Sequence, residues 1–362
     1  MISFWVTNQG SFGIHNYQSN RGAAIRDRFA VFPYEAIGRE VVMPAGPLIF
    51  AAVDHLSAAQ RRAAEHIWDA HASVAPEAPR LNDPRRVLLR FDLLRQLHGQ
   101  GLNSFNVYPA RHPDDVRRFP VFVRHRSRHD GPATNLLDGR DDLMRVLRAL
   151  RLRRRNLDDY MIVEFCDASG ADRLFRKYAA FKVGDRIIPC HLFTSPAWCV
   201  KSVQNQPTEA SVHEQLDYIR TNPHEAWLRN VFQVAGIDYG RIDYGVSNGV
   251  PQAWEINVNP TIGRAAGQSR HPGQPPNIRQ PLDECRDTFH EQLRAAFVAL
   301  DDTAQHLGDV RVAIRDVLVQ QLRAEAVQAR RRQQVAGWLT NLYERPLLGR
   351  PARAVFSLFP RR

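Results

Sequence analysis

The sequence predicts an α+β protein with an N-terminal α/β unit, a central α+β domain and a helical C-terminal extension. Apolar residues recur with helical spacing in some segments and with strand spacing in others, and the two patterns alternate up to about residue 270. Beyond that point only helical patterns follow. The 362 residues, 44% of them hydrophobic, suffice for two or three packed domains. We place the domains at residues 1–80, 81–270 and 271–362.

The first domain mixes strand-like stretches with one helix. A short apolar, β-prone stretch runs from Pro47 to Val53, and Asp54 or Ser57 can cap the helical segment AAQRRAAEHIWDAHA. A proline-rich loop, APEAPRLNDP, then ends this α/β unit.

The central domain begins with the segment RRVLLRFDLLRQLHGQG, whose apolar residues have helical spacing. A strand in FPVFVR, a helix in LLDGRDDLMRVLRALRLRRRN and a buried strand in MIVEFCD follow. The segment RKYAAFKVGDRIIPCHLF predicts a hairpin that turns at Gly184 and Asp185. Pro223 interrupts the next helical region, and two last strands, IDYGRIDYGVSNG and QAWEINVNP, are joined by a Ser-Asn-Gly turn.

The C-terminal extension predicts helices from Leu282 to about Leu300 and from Val310 to about Gln334. Its last residues mix arginine with aromatic residues. Three interpretations of this basic tail stay open: it packs back on the body, it is disordered, or it contacts a partner or an anionic membrane surface.

Charge and cysteine content limit the possible partners. The formal net charge is +11, but nine arginines and only two acidic residues fall after residue 320, so much of the excess is local and predicts no nucleic-acid partner. The four cysteines form no CxxC pair, which indicates reduced, mostly buried thiols. The sequence shows neither a long apolar run nor a signal-peptide pattern, so we expect a cytoplasmic protein without a transmembrane segment.

Lysine is rare in this chain. Its only lysines are Lys177, Lys182 and Lys201, against 46 arginines. Because an ammonium is a compact point charge and a guanidinium a wide planar fork, a retained lysine can have a specific role. Coding bias with chance clustering explains the pattern equally well.

The pattern most indicative of chemistry is the group Arg241, Asp243, Glu255 and Asn257. Arg241 and Asp243 are two residues apart, as are Glu255 and Asn257, so on a strand the side chains of each pair point to one face. The Ser-Asn-Gly turn folds the two strands together. Two carboxylates and an amide oxygen are hard ligands of the kind that Mg²⁺ prefers. Glu255 lies within the apolar stretch AWEINV, where an unpaired carboxylate is costly to bury.

With these elements in this order, roughly residues 75–265 resemble the ATP-grasp superfamily, and within it the lysine-ligase and glutamate-ligase type. The residues behind the resemblance are the NDP loop, the helix ending in glycine, the strand ending in Arg124, the Glu-Phe strand, the hairpin and the final D…EIN pair. The resemblance implies two α+β lobes that clasp ATP, preceded by a pre-grasp domain and followed here by the helical extension.

The same resemblance implies roles for individual residues. Asp243, Glu255 and Asn257 match the ligands of two magnesium ions, and Arg241 matches a cation that stabilises the acyl-phosphate or tetrahedral species. Arg90 and Arg124 fall where members of the superfamily have lysines that contact the nucleotide phosphates.

Further residues are assigned by the resemblance alone. Glu164, Phe165 and Asp167 lie on or beside the hinge strand that binds adenine and ribose, and Lys177 lies near a substrate or γ-phosphate cation. The loop after Arg124 has one glycine where the superfamily has several, so His129, Asp130 and Gly131 either close over phosphate or form a plain surface loop. His191 either lines the site or is a core histidine, and no general base is identifiable.

The function implied is an ATP- and Mg²⁺-dependent ligase that activates a small-molecule or peptide carboxylate as an acyl-phosphate for attack by an amine. Two alternatives stay open. One is a nucleotide-binding regulator or adaptor without turnover, favoured by the arginines at the phosphate positions. The other is a small-molecule kinase of the same fold. No residue pattern specifies the substrate or the oligomeric state.

Overall fold

A computed structural model describes residues 1–128, 131–201, 205, 207–262, 273–303 and 308–343. Its strands are β1 (Ile2–Val6), β2 (Phe29–Pro33), β3 (Glu40–Pro44), β4 (Leu48–Phe50), β5 (Arg80–Leu81), β6 (Val107–Pro109), β7 (Val121–His125), β8 (Tyr160–Glu164), β9 (Phe175–Val183), β10 (Arg186–Ser195), β11 (Tyr239–Ser247), β12 (Val250–Asn257) and β13 (Asp309–Ala313). Its helices are α1 (Phe12–Ser19), α2 (Ala58–Val74), α3 (Arg90–Gly99), α4 (Arg140–Leu152), α5 (Glu209–Thr221), α6 (Glu225–Ala235), α7 (Pro276–Asp302) and α8 (Asp316–Tyr343).

The predicted α+β class is confirmed, because helices accompany one parallel and three antiparallel sheets in the described part of the chain. The chain divides into two compact units. The first comprises Met1–Asn103 and Asp167–Asp316, and the second comprises Ser104–Cys166 and the chain from Val317 onward. These units divide the chain differently from the three predicted domains, whose boundaries stay a prediction.

The N-terminal part of the first unit is a parallel sheet of order β2-β1-β4-β5. All five residues of β1 are buried, as expected for a central strand covered on both faces. Ser57 caps α2 through a reciprocal pair of bonds with Gln60, which confirms one of the two predicted caps.

The second sheet of the first unit is antiparallel, with strand order β10-β9-β11-β12. The hairpin β9–β10 turns at Gly184, whose φ is +58°, as predicted. The hairpin β11–β12 turns at Asn248 and Gly249, whose φ values of +50° and +78° are those of a type I′ turn. Both predicted hairpins are therefore present.

One apolar core joins the two four-stranded sheets of this first unit. Phe4 of β1 packs edge-to-face on Tyr239 of β11, with ring centroids 5.4 Å apart. Helix α7 contributes Phe289 and Phe297 to the same core. The first part of the predicted C-terminal extension is thus built into the first unit.

The second unit contains the three-stranded sheet β6-β8-β7 and helix α4. The buried face of α4 packs on this sheet through Leu143, Val146, Leu147 and Leu150. Strand β8 was predicted as a buried strand, and four of its five residues are buried; it ends at Glu164, the first residue of the Glu-Phe motif.

Three expectations need correction. The segment from Val310 to Ala313, predicted as helical, is strand β13, which pairs antiparallel with β3, because Val310 and Val312 alternate with exposed residues at strand spacing. Helix α3 begins only at Arg90, since Leu88 N–H donates to the Ala235 carbonyl. All four cysteines are free, as predicted, but only Cys285 is buried.

Two predicted regions lie outside the described residues. They are His129 and Asp130 of the loop after Arg124, and residues 344–362 of the basic tail. No helix among the described residues is long and apolar enough to cross a bilayer.

Candidate functional site

The hairpin β11–β12 brings the four predicted residues together. Arg241 pairs with Asn257 across the strands, and Asp243 pairs with Glu255. Directly opposed residues of an antiparallel pair have Cβ atoms about 5 Å apart on one face of the sheet. The convergence predicted from the two-residue spacing is therefore present, in the first unit.

A β-bulge adjoins these pairs. The register shifts after Asp243, so that Tyr244 pairs with Ala253 and Trp254 is the extra residue on β12. Trp254 folds over Gly245, where an added Cβ would lie 2.4 Å from the indole Cζ2. A glycine is needed at this position because the indole takes the space of a side chain.

The carboxylate of Asp243 accepts hydrogen bonds from two cationic side chains. Lys177 Nζ on β9 lies 3.2 Å from one carboxylate oxygen, and Arg241 Nε lies 3.0 Å from the other. The Asp243 side chain is only 8% exposed. The strands thus place Lys177 in the cluster, although the sequence alone left its alignment open by a residue or two.

Glu255 has a cationic partner as well. Arg90 Nη2, at the first residue of α3, lies 2.7 Å from Glu255 Oε2, and the two side chains are 6% and 18% exposed. Helix α3 packs against β12, which fixes this approach. A residue that the resemblance assigns to a nucleotide phosphate therefore contacts one of the predicted metal ligands.

These five side chains form a charged cluster with one excess positive charge, since three cations surround two carboxylates. Burial by itself would lower the pKa of Arg241, but the charges of Asp243 and Glu255 outweigh burial and raise its pKa. Arg241 therefore keeps its charge at neutral pH.

Asn257 completes the predicted metal-ligand set. Its Oδ1 accepts a hydrogen bond of 2.8 Å from Asn259 N–H, and Asn259 Nδ2 donates to the Gly10 carbonyl. The Asn257 amide is thus held in one orientation, with a second lone pair on Oδ1 for a ligand.

The donor set fits Mg²⁺ in type, because all of its atoms are hard oxygens from three side chains on neighbouring register positions. No group of three or more His, Cys, Asp or Glu side chains is arranged to hold a metal in the described part of the chain. The predicted site has two carboxylates, Asp243 and Glu255, and its third ligand is the amide oxygen of Asn257.

The other predicted residues lie outside this hairpin. Arg124 is half-buried on β7, in the second unit. Asp167 is exposed in the first unit, where its carboxylate accepts Ser169 N–H and its carbonyl accepts the Ser247 hydroxyl. Gly131, with a φ of +92°, is the one described residue of the predicted three-residue phosphate loop.

Glu164 has partners within the second unit that the sequence did not indicate. Its buried carboxylate accepts Asn106 N–H at 3.0 Å and the Tyr108 hydroxyl at 2.8 Å, and Arg118 lies 3.2 Å away. Phe165 N–H donates to the Pro120 carbonyl. These contacts hold β8 in its sheet, and the adenine and ribose roles of Glu164, Phe165 and Asp167 stay predictions.

Two buried asparagines position the site strands, and sequence reasoning missed this role for both. The Asn103 side chain donates a hydrogen bond of 2.9 Å to the Ala253 carbonyl and accepts one of 2.8 Å from the Ala253 N–H. Ala253 lies two residues before Glu255 on β12. Asn82 binds the backbone of Asp238 and Tyr239 at the start of β11. The NDP loop was a signal for Asn82, but nothing in the sequence distinguishes Asn103 from a surface asparagine.

Comparisons with known proteins give fold-level similarity only. No family model matches the chain, and no curated protein matches it. Among solved structures, it is similar to D-alanine–D-alanine ligase from Bacillus anthracis complexed with ATP, at 10% identity and a TM-score of 0.40, over 81% of this chain and 98% of that one.

Two further structures show the same level of similarity. The ATP-grasp ligase PsnB complexed with a minimal precursor matches at 12% identity and a TM-score of 0.47, over 83% of this chain and 99% of that one. A RimK domain protein ATP-grasp from Sphaerobacter thermophilus matches at 11% identity and a TM-score of 0.43, over 84% and 98%.

Proposed function

We propose that this protein is an ATP- and Mg²⁺-dependent ligase that activates a carboxylate as an acyl-phosphate and joins it to an amine. The observation that supports this most directly is the charged cluster, in which Asp243 and Glu255 are cross-strand neighbours and both contact cations. Carboxylate oxygens can bind the metal of a metal–polyphosphate substrate, and neighbouring ammonium and guanidinium groups can bind its phosphate oxygens.

The residues of this chain would act by exchanging partners. Lys177, Arg241 and Arg90 now bind carboxylates, and each can bind a phosphate oxygen instead. Asp243, Glu255 and Asn257 would then be available to hold Mg²⁺. When bound, Mg²⁺ neutralises charge on the phosphate oxygens during phosphoryl transfer.

Arg241 would have a further role in the chemistry. It lies in the row next to Asp243, pairs with Asn257, and keeps its charge although its side chain is only 20% exposed. A fixed, desolvated cation stabilises negative charge that develops on an oxygen in the transition state. We therefore propose that Arg241 stabilises the acyl-phosphate or the tetrahedral species that follows it.

One observation favours the second candidate, a nucleotide-binding regulator without turnover. The ion pair between Arg90 and Glu255 is short and largely buried, so it occupies a proposed metal ligand. A site that keeps this pair closed would bind nucleotide and leave the carboxylate substrate unactivated.

Calorimetry with Mg-ATP tests the proposal, using the wild type and Glu255→Gln. Glu214→Gln is the matched control, because Glu214 also pairs with an arginine, Arg176, at 2.8 Å, but lies outside the cluster. We expect binding to weaken in Glu255→Gln and to persist in the control. Absence of wild-type binding at millimolar ATP would contradict the proposal.

ADP and phosphate release against a panel of carboxylates and amines separates the candidates. Release that depends on a carboxylate, with an amide product, supports the ligase. Release that yields a stable phosphorylated product indicates a kinase. Binding without any release indicates the regulator.

A further inference from the structure

A second β-bulge adjoins the charged cluster, on strand β10. The pairing of β10 with β9 shifts by one residue between Pro189 and His191, so that Cys190 is the extra residue. Because side chains alternate across a strand, one inserted residue turns every following side chain to the other face. His191 therefore pairs with Ala179 on the face of the cluster, whereas an unbulged strand would place it opposite Tyr178 on the other face.

The register then places His191 in one row with the proposed metal ligands. His191 pairs with Ala179, Ala179 pairs with Asp243, and Asp243 pairs with Glu255. Neighbouring strands lie about 4.8 Å apart, so the backbones of His191 and Asp243 are roughly 10 Å apart. In this row only the methyl group of Ala179 lies between them.

Side-chain contacts link the imidazole to the cluster. The His191 ring stacks on Phe193 with centroids 4.1 Å apart and planes inclined by 17°. Lys177 Nζ lies 5.7 Å from the centroid of the same Phe193 ring, and the same Nζ is 3.2 Å from Asp243. On the other side, Cys190 Sγ lies 3.2 Å from His191 Nδ1, which fixes the ring in its plane.

We propose that His191 is the general base of the ligase reaction, taking a proton from the incoming amine; this inference rests on the proposed function. An amine at neutral pH is mostly an ammonium ion, which has no lone pair with which to attack. The carboxylates of the row are paired with cations, while an imidazole can accept a proton near neutral pH.

Proton transfer to His191 precedes formation of the C–N bond in this step. The ammonium group gives one proton to the imidazole of His191, and its nitrogen lone pair attacks the acyl carbon of the acyl-phosphate. The C–N bond forms, the bond from the acyl carbon to the bridging oxygen breaks, and phosphate leaves with that electron pair. The second proton of the nitrogen goes to the departing phosphate, and the histidinium returns its proton to water.

The test separates formation of the acyl-phosphate from its capture by the amine. Hydroxylamine is largely unprotonated at neutral pH, so it captures an acyl-phosphate as a hydroxamate without a base. In His191→Gln we expect Mg-ATP affinity and hydroxamate formation to match the wild type, while amide formation falls about 100-fold, as is typical for loss of a general base.

Two further variants serve as a control and as a rescue experiment. His224→Gln is the matched control, because His224 is also half-buried and contacts Tyr178 and Tyr244 on the opposite face of the same sheet. We expect it to form amide and hydroxamate in the wild-type ratio. In His191→Ala, free imidazole should restore amide formation and leave hydroxamate formation unchanged, which also covers a glutamine variant that folds poorly.

The remaining outcomes overturn the inference. Equal losses of amide and hydroxamate would give His191 a structural role or a role in acyl-phosphate formation, and an unchanged amide rate would exclude it as the base. If the wild type itself yields neither ADP nor hydroxamate with any carboxylate, the proposed function fails first, and the assignment of His191 fails with it.

Discussion

Asp243 and Glu255 are direct cross-strand neighbours on β11 and β12. Like charges in this arrangement repel each other. The repulsion is offset because Asp243 contacts Lys177 and Arg241, and Glu255 contacts Arg90. These contacts therefore stabilise two neighbouring carboxylates on one face, and each cation would compete with a metal ion for those carboxylates.

This excess of positive charge predicts that Mg²⁺ binds only together with a polyphosphate. An added divalent cation alone would be repelled by three neighbouring cations, whereas a nucleotide triphosphate brings negative charge for them to bind. Calorimetric titration of the wild type with MgCl₂ should give no binding heat at millimolar concentration, and titration with Mg-ATP should. Tight binding of Mg²⁺ alone would mean that the carboxylates leave their cations readily, contrary to this expectation.

The two lysines of β9 provide a matched pair of variants. Lys177 contacts Asp243 at 3.2 Å and lies 5.7 Å from the Phe193 ring; Lys182 contacts Asp238 at 2.8 Å and lies 5.7 Å from the Phe232 ring. Both substitutions to Met remove a similar set of contacts, but only Lys177 belongs to the cluster.

We expect Lys177→Met to weaken Mg-ATP binding by roughly 10- to 100-fold, the equivalent of one charge-assisted hydrogen bond. Lys182→Met should leave nucleotide affinity unchanged and lower thermal stability by a similar amount to Lys177→Met. Calorimetry and thermal unfolding of both variants measure this. Equal effects on affinity would remove Lys177 from the site.

Asn103 is predicted to stabilise the strand that presents Glu255. Asn103→Ala removes two buried hydrogen bonds to Ala253 and leaves both backbone groups without that partner. The expected loss is about 2–4 kcal/mol in the free energy of unfolding, measured by urea denaturation. Asn277→Ala is the control, because its contact with Glu209 is exposed; we expect a change within about 0.5 kcal/mol there. Similar losses in the two variants would contradict a structural role for Asn103.

His290 predicts a pH dependence of stability. Burial in α7, with a smaller contribution from the charges of Arg21 and Arg286, lowers its pKa from 6.5 to about 4. The unfolded chain therefore binds a proton at higher pH than the folded chain does. The stability that His290 contributes is fully present above about pH 6.5 and is lost as the pH falls toward 4, by up to about 3 kcal/mol.

His290→Met should flatten the fall in unfolding free energy between pH 7 and pH 4 relative to the wild type. His213→Met, at an exposed position of α5, should retain the wild-type slope. Denaturant unfolding at several pH values gives both slopes. Parallel curves for wild type and His290→Met would show that the imidazole takes up its proton at the same pH in the folded and unfolded states, contrary to this prediction.

The sequence alone predicted the elements of the candidate site. The two-residue spacings in GRIDYG and WEINVN and the Ser-Asn-Gly turn determine the hairpin and the shared face of Arg241, Asp243, Glu255 and Asn257, because strand periodicity and turn chemistry are local properties of the chain. For the same reason the hairpin at Gly184 was predicted. Val310 was assigned to a helix because a five-residue strand is a weak signal and its partner, β3, is far away in sequence.

Only the tertiary structure decided which side chains meet. The ion pairs of Glu255 with Arg90 and of Asp243 with Lys177 join residues 165 and 66 positions apart in the chain. The bulge at Cys190 places His191 on the face of the cluster, and no residue in the sequence indicates that bulge. Both depend on how strands and helices distant in sequence pack together, and local patterns in the sequence do not specify such long-range packing.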